Sequence, residues 1–127
     1  MNRTLPLIAA ATCLAAALPA LAAPASTSSC FRMRDMHNHS VVDPNTIYVS
    51  VGMHDVYRIT SSNACFTAKW SSDPLITRVT GGSDIVCKPI DLDLKVGGTG
   101  GPSPCIVSGI QKLTPAEVAA IPKKLRP

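Results

Sequence analysis

Apolar and polar residues alternate with a period of two over much of the chain beyond its alanine-rich start, and that period predicts strands rather than helices. Ile47, Val49 and Val51 alternate with Tyr48 and Ser50, which puts three aliphatic side chains on one buried face. Turn residues bracket the run. Asp43-Pro44-Asn45-Thr46 precedes it, with Pro pre-setting φ and Asn tolerating the left-handed region, and Gly52-Met53-His54-Asp55 follows it. With Phe31 to Val42 before the first turn and Val56 to Thr60 after the second, two successive hairpins predict a meander.

Farther along, Ser61 to Asp73 is polar and irregular around Cys65-Phe66, with room for a short helical turn. Leu75 to Thr80 reads as a strand, Gly81 to Asp84 as a turn, and Ile85 to Val96 as the longest strand. In that strand Leu92, Leu94 and Val96 alternate with Asp91, Asp93 and Lys95, a half-exposed pattern, and Pro89 implies an edge or a bulge. Gly97 to Pro102 is a flexible loop and Cys105 to Leu113 the final strand. Thr114-Pro115-Ala116-Glu117 is a capping box with Pro at the first helical position, predicting a helix from Pro115 to about Ile121 that Pro122 stops. There is no internal repeat.

The start of the chain changes the setting. Met1-Asn2-Arg3-Thr4 carries one positive charge, an apolar run follows, and Leu18 to Ala23 ends in small residues. This is the charged, apolar and A-x-A order of a secretory leader. Residues 1–22 are therefore expected to be a signal peptide, cut after Ala22 or, in a second frame, after Ala25. That places the protein in the periplasm or outside the cell, with no stable membrane insertion once the leader is gone. Residues 23–29 are a flexible lead-in, 30–121 a single domain, and 122–127 a basic solvated tail.

Export gives the cysteines their meaning. Cys30, Cys65, Cys87 and Cys105 are an even set in an oxidising compartment, so two disulfides are the expected arrangement. Zinc is disfavoured because the gaps of 35, 22 and 18 positions contain no close Cys-x2-Cys pair. Three connectivities are open. Adjacency of first and last strands in a small closed sheet favours Cys30 with Cys105 and Cys65 with Cys87, each worth about 3 to 4 kcal/mol in the loop-entropy account. Such staples suit a core drawn from a modest set of aliphatic residues plus Phe31, Tyr48, Tyr57, Phe66 and Trp70.

The cysteine frame carries a resemblance. Cys30-Phe31, Asp43 in a Val-Val-Asp-Pro setting, Tyr48, Tyr57-Arg58, Cys65-Phe66, Cys87-Lys88-Pro89 and Cys105-Ile106-Val107 together resemble an uncharacterised family of small exported bacterial four-cysteine proteins. The resemblance runs from Cys30 to about Glu117. It implies export and the cysteine frame, and it transfers no catalytic residue.

Candidate chemistry is sparse. His37 and His39 at i and i+2 on a strand would share a face, and His54 in the second turn could join them, a copper or zinc set without a cofactor otherwise implied. Arg58 is expected to pair with Asp43 or Asp55. The glycines of 97–101 lack the Lys-Ser/Thr of a phosphate loop, and no nucleophile elbow places a triad. Glu117 is the single Glu in the chain and caps a helix, and Asp91 with Asp93 reads as the wet face of a strand. The full-chain net charge of +4 is not clustered as a nucleic-acid footprint would be.

The expected fold is all-β: a small five- to six-stranded, partly closed antiparallel barrel with a short C-terminal helix, stapled by disulfides. The expected role is non-enzymatic, a monomeric binding or envelope-associated accessory module that meets a protein partner through an edge strand or a barrel face. A periplasmic copper- or zinc-binding protein using His37 and His39 is the second reading.

Overall fold

A computed structural model describes residues 30–66 and 73–127. The expected leader and lead-in, and Trp70 with the rest of 67–72, lie outside the described residues. Within them the chain is mostly β, with nine strands: β1 Phe31–Arg32, β2 Met36–Asp43, β3 Thr46–Val51, β4 Asp55–Ser61, β5 Leu75–Val79, β6 Ile85–Val86, β7 Leu92–Val96, β8 Ser103–Cys105 and β9 Val107–Lys112. One helix, α1, spans Pro115–Ala120.

The strands form three antiparallel sheets, ordered β2-β3-β4-β9, β5-β7-β8 and β1-β6. They do not close into a barrel, which corrects the expected architecture. The first strand pairs with β6 and the last with β4, so first-to-last closure does not occur. At the opposite edge, β2 carries one extra residue between Met36 and His39 and another between Val41 and Asp43. Bulges of this kind bend an edge and blunt further pairing.

Local chemistry explains why the strands are shorter and more numerous than the alternation suggested. Pro89 opens a 3₁₀ turn through Asp91, and the Asp91 carboxylate accepts the N–H groups of Cys87 at 3.0 Å and Lys88 at 2.8 Å. The expected long strand is thereby split into β6 and β7. Ile106 splits the expected final strand. Its N–H donates to Asn63 Oδ1 at 2.8 Å and its carbonyl accepts from the Ser62 N–H at 2.9 Å, so the chain leaves the three-stranded sheet there and enters the four-stranded one.

The predicted turns form. Asp43 Oδ1 accepts the Asn45 N–H at 2.8 Å, an Asx turn joining β2 to β3. Gly52 takes φ +60° in the turn between β3 and β4, a conformation L side chains rarely adopt.

Both disulfides form, with a connectivity that corrects the expectation: Cys30 bonds Cys87 and Cys65 bonds Cys105. The ladder dictates the first pair. Phe31 lies opposite Val86 in an antiparallel register, so one step outward sets Cys30 against Cys87, with Cα atoms 4.1 Å apart. The second follows from the exit of β4. Asn63 bonds both Ile106 and Pro104, while the Cys65 and Phe66 N–H groups both donate to the Pro44 carbonyl, and this zipper delivers Cys65 to the end of β8.

The three sheets enclose one core. Ile47, Val49, Ile59 and Val86 are fully buried, and Phe31, Tyr57, Phe66, Leu92 and Leu94 pack with them. Each such side chain contributes about 1.5 to 3 kcal/mol of apolar burial. A second, smaller cluster lies on the other face of the four-stranded sheet, where Val56, Leu113 and Ile121 pack with Tyr48, Val118 and Leu125.

That second cluster anchors the basic tail at 122–127 through Leu125, while Lys123, Lys124 and Arg126 stay exposed. Lys123–Leu125 forms a 3₁₀ turn, Leu125 joins the cluster, and the buried Ser40 hydroxyl donates to the Leu125 carbonyl. Arg126 completes the return by donating from Nε to the Ile121 carbonyl and from Nη2 to that of Ala119, each at 3.1 Å.

A candidate binding groove beside the helix

The helix beside the groove is set by its first turn. Thr114 Oγ1 accepts the Glu117 N–H at 3.3 Å while Glu117 Oε2 accepts the Thr114 N–H at 2.8 Å, the reciprocal bonds of a capping box. The Thr114 backbone N–H and hydroxyl hold the Glu117 carboxyl below its usual range. Pro115 sits where a missing N–H costs nothing, and Val118 turns toward the sheet.

Between α1, the end of β9 and the turn joining β3 to β4 opens a groove of about 690 Å³. Leu113, Pro115, Val118 and Ala119 provide its apolar surface. Its polar groups are separated along the helix. At the N-terminal end, Lys112 Nζ meets Asp55 Oδ2 at 2.6 Å. That hydrogen bond holds the lysine ammonium above its usual range. At the C-terminal end stands Arg126, bound to helix carbonyls, where a cation complements the partial negative charge. His54 lies on the rim.

Two other depressions are smaller. One of about 420 Å³ lies across the same turn, bordered by Arg32, Asp35, His54 and Tyr57. Burial raises the Tyr57 phenol above its usual range, and its hydroxyl donates to the Cys30 carbonyl at 3.2 Å. The other, about 530 Å³, is flanked by the exposed side chains of Ile90 and Ile106.

The histidines are not arranged as their spacing suggested. The extra residue between Met36 and His39 breaks the alternation of β2, so the inference that His37 and His39 share a face is corrected. His39 lies opposite Val49 and is half-buried, whereas His37 is exposed on the bulge. Desolvation lowers the His39 imidazole below its ordinary value, partly opposed by a backbone hydrogen bond at Asp73. His54 belongs to the turn beside the groove. Among the described residues no three His, Cys, Asp or Glu side chains gather as a metal site would need.

Arg58 also departs from expectation. Its guanidinium lies 6.0 Å from the centre of the Tyr48 ring and donates to Gln111 Oε1 at 3.4 Å, because the register places both residues opposite it. Asp55 is taken by Lys112 instead. The carboxylates nearest the groove thus serve structural bonds, Asp55 to Lys112 and Glu117 to Thr114, as does Asp91 in the 3₁₀ turn after β6. The four described cysteines are all oxidised.

Sequence reasoning missed Arg126 and Lys112 as groove residues. A signal for the first was present: Ile121 and Leu125 stand four apart across Pro122, the spacing of two apolar anchors on one side of a turn. No protein-family model, curated protein or solved structure matches the chain.

Proposed function

We propose that the protein is an exported, disulfide-bonded β module of the periplasm or extracellular space that binds a protein partner and performs no catalysis. The supporting observation is the groove beside α1, an apolar floor bounded by polar groups at both ends and larger than the other two depressions described. Segments of partner proteins commonly dock their apolar side chains into grooves of this kind. The two disulfides suit an oxidising compartment. Among the described residues no helix is long and apolar enough to cross a membrane. The resemblance to small exported four-cysteine proteins fits the same setting.

The test is site-specific photo-crosslinking in the cell envelope. A benzophenone amino acid at Ala119 in the groove is compared with one at the exposed Arg78 on β5. A discrete adduct from Ala119 and none from Arg78 is the expected result. Equal labelling, or no adduct from Ala119, overturns the reading. Intact mass of the periplasmic protein, with cleavage after Ala22 or Ala25 and four protected thiols, tests the export half of the proposal.

A further inference from the structure

We propose that the groove receives the C-terminal end of a partner polypeptide, an apolar last residue together with its free α-carboxylate; this rests on the binding-module reading above. The argument starts from charge. Arg126 is held by two neutral carbonyls, which fix the guanidinium without cancelling its charge. Lys123 and Lys124, both exposed, lie in the 3₁₀ turn that Arg126 caps and add to the positive potential at that end. A guanidinium carries five N–H donors, more than these two bonds use. A carboxylate is the complementary group, and charge-assisted bonds to it are among the stronger ones available.

The opposite end selects a peptide over an aliphatic acid. The Lys112–Asp55 pair uses one ammonium proton and one carboxylate oxygen on each other, which leaves further N–H donors and a second oxygen side by side for the C=O and N–H of a peptide group. A hydrocarbon tail lying there would remove both charges from water and replace none of their bonds, which is costly. The apolar floor of Leu113, Val118 and Ala119 lies between. The six residues of α1 span about 9 Å at 1.5 Å each, the length of about three extended residues. Capture of a C-terminal carboxylate is an established mode of peptide recognition.

The experiment titrates the disulfide-intact protein with an acetylated hexapeptide ending in two leucines, as the free acid and as the C-terminal amide, and with decanoate. Calorimetry gives affinities, and methyl chemical shifts of Leu113 and Val118 locate the site. The free acid is expected to bind at least about tenfold more tightly than the amide, the step expected from about 1.4 kcal/mol. In Arg126→Gln that preference disappears, and in Val118→Asp both peptides are lost. Because acid and amide are compared on the unaltered protein, the outcome does not depend on whether a variant folds.

Equal affinity for acid and amide, tighter binding of decanoate, or shifts confined to residues outside the groove would each overturn the inference. If neither peptide binds while Ala119 still crosslinks to a partner, the carboxylate inference falls and the binding-module reading stands. Absence of both signals sinks both.

Discussion

The two faces of the four-stranded sheet are built differently. On one, Ile47, Val49 and Ile59 are completely buried under side chains contributed by the other two sheets and by Phe66. On the other, among the described residues, Val56 and Leu113 pack against Tyr48, a six-residue helix and the short turn that follows it. The first face is held by many long-range strand contacts and by disulfides. The second is held by a capping box, the hydrogen bonds of Ser40 and Arg126 to backbone carbonyls, and a few aliphatic contacts. A cover that thin leaves apolar surface within reach of solvent, and the groove lies along it. Stability is concentrated on one side of the sheet and recognition, by the reading above, on the other.

The largest effect should come from cutting the link between the four- and three-stranded sheets. Replacing Cys65 and Cys105 together by Ser removes a crosslink spanning 40 residues, worth about 4 kcal/mol by loop entropy. Urea denaturation of the oxidised double variant measures it. Under mild reductant the order of opening is a sharper check. Cys30 is exposed and Cys105 is buried, so alkylation with mass spectrometry should find Cys30 and Cys87 labelled first. Simultaneous labelling would show that the core face does not protect its own bond.

Next comes a matched pair of cavities. Ile59→Ala on the core face should cost about 3 to 4 kcal/mol, and Ile121→Ala under the helix about 2, both within the range for buried aliphatic truncation. The difference is expected because the small cluster can collapse around a lost side chain while the enclosed core cannot. Equal losses in urea would mean that the two faces are equally tight and would break the comparison.

Thr114→Ala should cost about 1 kcal/mol, the usual value of an N-cap, with the loss confined to α1. Hydrogen exchange at Val118 to Ile121 would rise while that of β3 and β4 stayed unchanged. The cap also carries an acid response. Since the folded state holds the Glu117 carboxyl below its usual range, the associated stability is present above the ordinary value of 4.5 and is lost as pH falls through the lowered one. Protection of α1 should therefore weaken in acid in the native protein and show a smaller change in Thr114→Ala.

How much of this was legible depended on whether a feature is local. The turns at Asp43 to Thr46 and Gly52 to Asp55, the buried faces of β3 and β7, and the capping box were readable because each is a short-range preference of φ, of period or of side-chain bonding. The failures are long-range. Whether Cys30 meets Cys87 or Cys105 depends on β1 finding β6, a two-residue strand with no periodic signature of its own. The split at Ile106 depends on Asn63, more than forty positions away, offering its side chain to the Ile106 N–H. The groove is longer-range still. Lys112, Asp55 and Arg126 come to line one groove only after the meander, the last strand and the C-terminal turn are all in place.

The smallest predicted effect concerns His39, on the core-facing side of the bulged edge strand, opposite Val49. Burial lowers its pKa below the ordinary imidazole value of 6.5, so the unfolded chain binds the proton more readily than the folded one. The sign follows. The stability that goes with neutral His39 is complete above 6.5 and is lost as pH falls through that value toward the lowered one. This window lies above that of Glu117, so the two responses separate on a pH axis. Urea midpoints of the native protein should decline modestly as pH falls below 6.5, and His39→Gln should flatten that limb. His37→Gln, on the exposed bulge, should leave it unchanged. A limb that survives in His39→Gln and vanishes in His37→Gln would place the buried imidazole at the wrong position and with it the register of β2, on which the contrast between the two faces depends.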